Sequence, residues 1–407
     1  MFDLLIHYYT RTIYYKSFAG LSKDIWLLAT VMLINRSGAM VLPFLSIYLN
    51  QELNFDLSDC GIIMTCFGVG SVGGALFGGY LTDKIGYFKV MLTSLFFTAL
   101  AFLVVMYLDS FYELCLGIFS ISFIADTFRP ANLTAIEAFS KKENLTRSIG
   151  LVRLAVNLGY AFGPFMGGYI ATILGYDFLF IFNAFSVGSA GLFFFLFFKN
   201  KSKGLSIEKK QRKKTEKIPL PWNDIPYISY LFLFGITVIV FFQLIYIIPL
   251  FYKTGFGFKE SLVGLLMAAN GLLIFIIEMP LIYKIEKHFN PVTLVSFGGI
   301  LIALGVLCFA VFNDPIVASI GFIVFATFGE MLSFPFSNTF ALTFANDHNR
   351  GKYMGLYTMT FSMAHIIAPI GWFQFAENFG YNMTWIFGGV LCIVASIFIY
   401  MYKLRSA

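Results

Sequence analysis

The chain is a succession of apolar stretches, each long enough to cross a bilayer, and this repetition limits what it can fold into. The stretches fall at about 25–49, 60–82, 88–108, 110–136, 148–172, 178–198, 225–252, 259–283, 291–311, 315–344, 351–376 and 382–402, numbered here as spans 1 to 12. A helix needs roughly 20 mostly apolar residues to cross the hydrocarbon core, and 407 residues hold all twelve. Within lipid, every backbone N–H and C=O must be paired inside its own segment or in a closed barrel. Runs this long meet that demand as helices. Only 12% of residues are charged and 58% are hydrophobic, whereas a soluble domain carries about 25% charged residues. Too little polar surface remains for a water-soluble fold.

The separators are short and polar, such as Leu108-Asp109-Ser110 and Asn313-Asp314-Pro315. One is long: Lys199 to Asp224 contains KNKSKGLSIEKKQRKKTEK and divides the spans into two sets of six. The organisation expected is an N-terminal segment 1–24, a six-helix bundle 25–198, a basic linker 199–224, a second bundle 225–402 and a tail 403–407. The N-terminus, loops 83–89, 141–147, 199–217, 284–287 and 350–352, and the C-terminus hold 23 of the 28 Lys and Arg. The opposite loops hold Lys253 and Lys259, and Arg36, Arg129 and Arg153 lie within spans. Basic loops resist translocation, so both termini are expected in the cytoplasm, in a multi-pass inner-membrane protein. The net charge of +6 is then topology, with no nucleic-acid partner implied. Residues 1–23, rich in Tyr and Phe, read as retained, either an interfacial lead-in or a loose tail. The five cysteines lack metal spacing and read as packing residues, so no metal, cofactor or disulfide framework is expected.

The two sets of spans repeat one another weakly. Gly61 to Asp83 and Gly264 to Glu286 each cover 22 positions, and Gly150 to Pro164 and Gly355 to Pro369 each cover 14. Pro43 in span 1 has a counterpart in Pro249 of span 7. Parallel six-helix repeats with a midplane site between them are a transporter architecture.

Two stretches carry a family resemblance. Gly79-Tyr80-Leu81-Thr82-Asp83-Lys84-Ile85-Gly86-Tyr87-Phe88-Lys89, between spans 2 and 3, resembles the signature loop of the major facilitator transporters. Tyr87 and Phe88 replace basic positions of that signature, leaving Lys84 and Lys89. In the family this loop latches the outward-open state, with Asp83 meeting positive helix ends or a basic side chain. In span 5, Gly150, Gly159, Gly163-Pro164 and Gly167-Gly168 are similar to the motif of the drug:proton antiporter branch. Glycines at this spacing let helices approach closely, and the proline adds a kink. The resemblance extends over the whole chain, including Arg129-Pro130 and Gly329-Glu330 through Pro335 to Arg350-Gly351 and Met354-Gly355. Those last features, with Asn35-Arg36 and Gly38, also look like the proton-coupled oligopeptide branch. Asn35 stands where that branch has a proton-carrying Glu and cannot titrate. The implied fold is all-α membrane: twelve transmembrane helices in two pseudo-symmetric six-helix bundles around a central cavity.

Charges inside spans cost at least about 2.5–3.5 kcal/mol each near the bilayer centre, so each asks for a reason. They are Arg36, Asp126, Arg129, Arg153, Glu278, Glu330 and His365, while spans 3, 6, 9 and 12 have none in their middles. In the major facilitator fold those four helices stand outside. Asp126 and Arg129 share a helical face and form either a proton switch or a permanent ion pair. Glu330 lacks a local partner and is a candidate for proton coupling, as is His365. The cavity candidates are Asn35, Arg36, Arg129, Asn157, Tyr160, Gln243, Tyr246 and Asn270, which can orient a substrate or join two helices. Glu278, Glu137 and Arg153 are candidates for the inner gate, Glu137 through Lys84 or Arg147. Gly79, Asp83, Lys84, Gly86, Lys89, Gly159, Gly163 and Pro164 complete the conformational set.

Gly68-Val-Gly70-Ser-Val-Gly73 reads as GxGxxG but has no preceding strand, which the dinucleotide fingerprint requires. No P-loop, HExxH or nucleophile elbow occurs, and an enzyme is not expected. The expected function is alternating-access transport, with proton-coupled export of a small amphipathic or lipophilic compound. The alternative is proton-coupled uptake of a zwitterionic nutrient such as a short peptide. A sensor that kept the fold is a third, weaker reading. The expected partners are that substrate, protons and the bilayer, with the chain a monomer.

Overall fold

The computed structural model describes residues 20–141, 144–201, 221–286, 288–345 and 350–406. Expectations for residues 1–19, for most of the basic linker (202–220) and for residue 407 lie outside the described residues. Among the described residues all regular structure is helical. Eleven helices among them are long and apolar enough to cross a membrane: Lys23–Glu52, Leu57–Ile85, Tyr87–Val105, Phe111–Phe139, Arg147–Leu174, Asp177–Phe198, Ile225–Tyr246, Glu260–Ile282, Pro291–Val311, Pro315–Leu342 and Lys352–Tyr402. The last covers 51 residues, more than twice what a bilayer needs. Gly380, at φ 78°, breaks it into spans 11 and 12.

The polar separators start the helices. Ser22, Asp56, Asp224, Asn290 and Asp314 each accept a hydrogen bond from a first-turn backbone N–H, which satisfies donors a helix start leaves orphaned. Pro291 and Pro315 follow their caps directly, where a missing N–H costs nothing. Three corners turn on a single glycine of positive φ: Gly86 joins span 2 to span 3, Gly175 span 5 to span 6, and Gly380 span 11 to span 12. Each has open space where a Cβ would stand, so glycine is there for its backbone freedom.

Spans 1 and 7 are broken. Span 1 runs Lys23–Ser37, turns at Gly38, resumes over Val41–Ile47 and ends in a π turn, Tyr48–Glu52. Span 7 runs Ile225–Phe241, Gln243–Tyr246 and Ile248–Thr254. Both breaks lie just ahead of Pro43 and Pro249. A proline removes a helix hydrogen bond and crowds the carbonyl four residues back, so the paired prolines act alike.

The glycines of span 5 set its depth between two neighbours. Gly159, Gly163 and Gly167 lie on one face, against Arg36, Ala39 and Met40 of span 1. Gly168 abuts the backbone of Glu260 and Gly264 in span 8. Between spans 1–6 and spans 7–12, the contacts run 5 with 8, 2 with 11 and 1 with 7. Along span 2, Gly61 meets Pro369 and Phe373, and Gly68 meets the His365 backbone. Farther along the same two helices, Gly79 and Gly355 face open space. Spans 2 and 11 therefore meet toward the end carrying Phe55, Gly175 and Gly257, the sealed end, and stand apart toward the end carrying the basic loops.

Candidate functional site

Between the broken helices and the two seams lies a cavity of about 380 Å³. Ten of the predicted residues line it: Asn35, Arg36, Asp126, Arg129, Asn157, Tyr160, Pro164, Asn270, Glu330 and His365. Phe67, Phe242, Phe334 and Met267 supply apolar wall.

Asp126 is buried at the end of the first segment of span 4, before a break at Thr127. Arg129 Nε pairs with its Oδ1 at 2.8 Å, and Ser71 of span 2 donates to its Oδ2. Both carboxylate oxygens are therefore held. The Arg36 guanidinium lies over the Tyr160 ring, 5.3 Å from its centroid, a cation–π contact. Its Nε is buried without an acceptor. Glu330, on span 10, accepts from the Asn270 amide at 3.4 Å, while the same amide donates to Thr327 Oγ1 at 2.9 Å. Among the described residues no ion pair reaches Glu330.

His365 Nδ1 and the Tyr246 hydroxyl lie 2.6 Å apart, and the Phe242 ring lies tilted against the imidazole with centroids 4.3 Å apart. Tyr246 is thus buried behind His365 and stays out of the cavity wall. Gln243 is buried against Gly388 of span 12, with both amide atoms unpartnered. The structure does not place Gln243 and Tyr246 among the residues facing the cavity.

Spans 3 and 6, expected outside, also reach the cavity, through Ser94, Thr98, Phe102, Asn183 and Val187. The interruption of span 1 opens the way behind it. Asn183, absent from the sequence-based candidates, holds that interruption: its Oδ1 accepts from the backbone N–H of Met40 at 3.1 Å and Val41 at 3.4 Å. A helix break in lipid must satisfy its freed backbone groups locally. The signal available in sequence was a lone amide inside an otherwise apolar run.

At the basic end, Arg153 of span 5 forms an ion pair with Glu278 of span 8, which is buried. These two candidates are brought together. Lys84 lies over the Tyr80 ring at 5.7 Å, while Asp83, Lys89 and Glu137 are exposed. Arg147 donates to Asn144.

The sequence model of the Major Facilitator Superfamily matches residues 25–369. The chain belongs to the major facilitator superfamily. It is accordingly a multi-pass membrane transporter of small molecules, not an enzyme. It is similar to the uncharacterized MFS-type transporter YqjV of Bacillus subtilis (strain 168), 24% identical over 345 residues, which are 81% of this chain and 80% of that one. A Na(+), Li(+), K(+)/H(+) antiporter of Planococcus maritimus is 21% identical over 402 residues, 91% of this chain and 93% of its own. The quinolone resistance protein NorA of Staphylococcus aureus (strain MRSA252) is 24% identical over 360 residues, 86% of this chain and 89% of its own. Among solved structures, a POT family transporter in complex with 5-aminolevulinic acid superposes with a TM-score of 0.80 at 15% identity, over 95% of this chain and 97% of that chain. That superposition concerns the fold.

Proposed function

We propose that this chain is a proton-coupled exporter of a small amphipathic or lipophilic compound, rocking two six-helix bundles about the central cavity as a monomer. In this reading the basic end faces the cytoplasm across the inner membrane, and the structure is the inward-open state. Arg153 and Glu278 form part of the inner gate. The carrying observation is Glu330, which stands in a mostly apolar wall with one long amide contact and no cation paired to it. Charge without a counter-ion is costly at such depth. A proton or a substrate's positive group relieves that cost, and the two exclude each other at one carboxylate. Such exclusion is what antiport requires. Asp126 can act as a second carrier: protonating it would release Arg129 into the cavity. Relatives that include a proton antiporter and a quinolone resistance protein support the direction.

Uptake of a zwitterion is the second reading, favoured by Arg36 and Glu330 lining one cavity. The test uses inside-out vesicles with an acid interior and amphipathic compounds chosen for thermal stabilisation of the purified protein. Antiport predicts that an active compound discharges the gradient, and that Glu330→Gln and Asp126→Asn weaken the discharge. If both variants discharge it as the native protein does, the coupling assignment is wrong. Peptide-dependent acidification of whole cells would instead select the second reading.

A further inference from the structure

At the sealed end, remote from the cavity acids, a carboxylate is shared between the two sets of spans. Glu260 opens span 8 and is buried. Its Oε1 accepts from Lys253 Nζ of span 7 at 2.6 Å and from the Tyr176 hydroxyl, at the corner of spans 5 and 6, at 2.7 Å. The next N–H, that of Ser261, donates to Thr172 Oγ1 of span 5 at 3.0 Å. The first turn of span 8 is thus capped by the opposite set of helices. Beside these bonds, the Gly168 and Gly264 backbones touch, and Tyr48 of span 1 packs on Tyr176 with ring centroids 6.0 Å apart.

We propose that Glu260 is a further proton-responsive residue of the transport cycle, distinct from the cavity acids, and that its protonation releases the clasp holding this end shut. Ionised, it satisfies a cation and a hydroxyl in a buried place. Protonated, it leaves Lys253 without its counter-charge and offers Tyr176 a weaker acceptor. Opening this end gives both side chains to water and removes the difference. Acid therefore favours opening, and a rise in pH favours the seal. The remaining charged groups nearby are Lys259 next in the chain, Asp177 beside Tyr176, and Glu52 at the close of span 1, which acts on Tyr176 through space. None of these three forms an ion pair with Glu260. The proposal rests on the orientation above only in calling this end the outer one. An outer gate of this kind opens where protons are abundant and stays closed where none wait to be carried. Glu260 is a positioning residue, since it acts through the seam and not on the cargo.

The test places a reporter by Ala171→Cys, a buried position of span 5 near the seam, in a transport-competent background without native cysteines. Labelling by an impermeant maleimide is followed in whole cells as external pH is lowered. Native Glu260 should give a labelling rate that steps up with acid. Glu260→Gln should label fast at every pH, and Glu260→Asp should restore the step. Tyr176→Phe should raise the rate at high pH by roughly tenfold to a hundredfold, the worth of one hydrogen bond to a charged group, and keep the step. Glu52→Gln and Asp177→Asn should each keep it too. An undiminished step in Glu260→Gln, or loss of the step in Glu52→Gln or Asp177→Asn, overturns the proposal. Labelling that occurs only in inverted vesicles overturns the orientation instead.

Discussion

Substituting Gly264→Ala tests whether the seam between spans 5 and 8 is what closes one end of the cavity. The added methyl would stand 3.1 Å from Gly168 Cα and 3.1 Å from the Pro164 carbonyl carbon, with the carbonyl oxygen nearer still. Carbon atoms pack best at about 3.5–4.0 Å, so the helices must part by roughly half an ångström or more. Overpacking of this kind costs about 1–3 kcal/mol. The cost falls on the sealed state alone, because Pro164 and Gly168 withdraw when this end opens. Alanine's advantage over glycine in a helix, about 1 kcal/mol, is common to both states and cancels. The equilibrium should move about 5- to 150-fold toward opening. Spin labels at Asn54 and Asn313, exposed loop positions near this end on opposite sets of spans, report it as growth of a longer-distance population. An unchanged distance distribution, with the melting temperature held or raised, would refute the seam's role.

Gly355→Ala should act with the opposite sign: it meets open space here, so it leaves this state intact while obstructing closure of spans 2 and 11 at the basic end. The same labels should then show a smaller open population. Asn183→Leu removes the acceptor shared by the Met40 and Val41 N–H groups at the break in span 1; Met40 keeps the Gly38 carbonyl at 2.7 Å, so the loss should cost about 1–3 kcal/mol of stability, the worth of one orphaned group, visible in thermal unfolding in micelles. Arg153→Met strands the buried Glu278 without its cation, whereas Glu278→Gln leaves only a half-exposed arginine unpaired. The first should therefore lower the melting temperature more than the second, and equal losses would show that the pair is merely a surface contact.

The helical spans were readable because lipid imposes a length and a polarity that composition cannot disguise. The cavity was readable for a related reason: a charged side chain inside a span needs a wet or paired place, and Arg36, Asp126, Arg129, Glu330 and His365 found one together. Span 7 was less legible. It is apolar on every side, so nothing in the sequence told which face Gln243 and Tyr246 would take. The structure turned Gln243 toward span 12 and set Tyr246 behind His365. The reach of spans 3 and 6 to the cavity depends on a gap in span 1, and an absence of charge carries no record of a gap. Glu260 escaped notice because it sits where a helix begins, and an acid there is ordinarily explained by the helix dipole.

The corners at Gly86, Gly175 and Gly380 bear on the surrounding lipid. Each ties a helix of the seams (span 2, 5 or 11) to the next in the chain through one or two residues, with no slack between them. A seam helix that tilts must carry its neighbour along. The annulus of acyl chains around spans 3, 6 and 12 is then displaced in every cycle. The turnover of this transporter should consequently depend on the thickness and lateral pressure of its bilayer, as reconstitution into lipids of graded chain length would reveal.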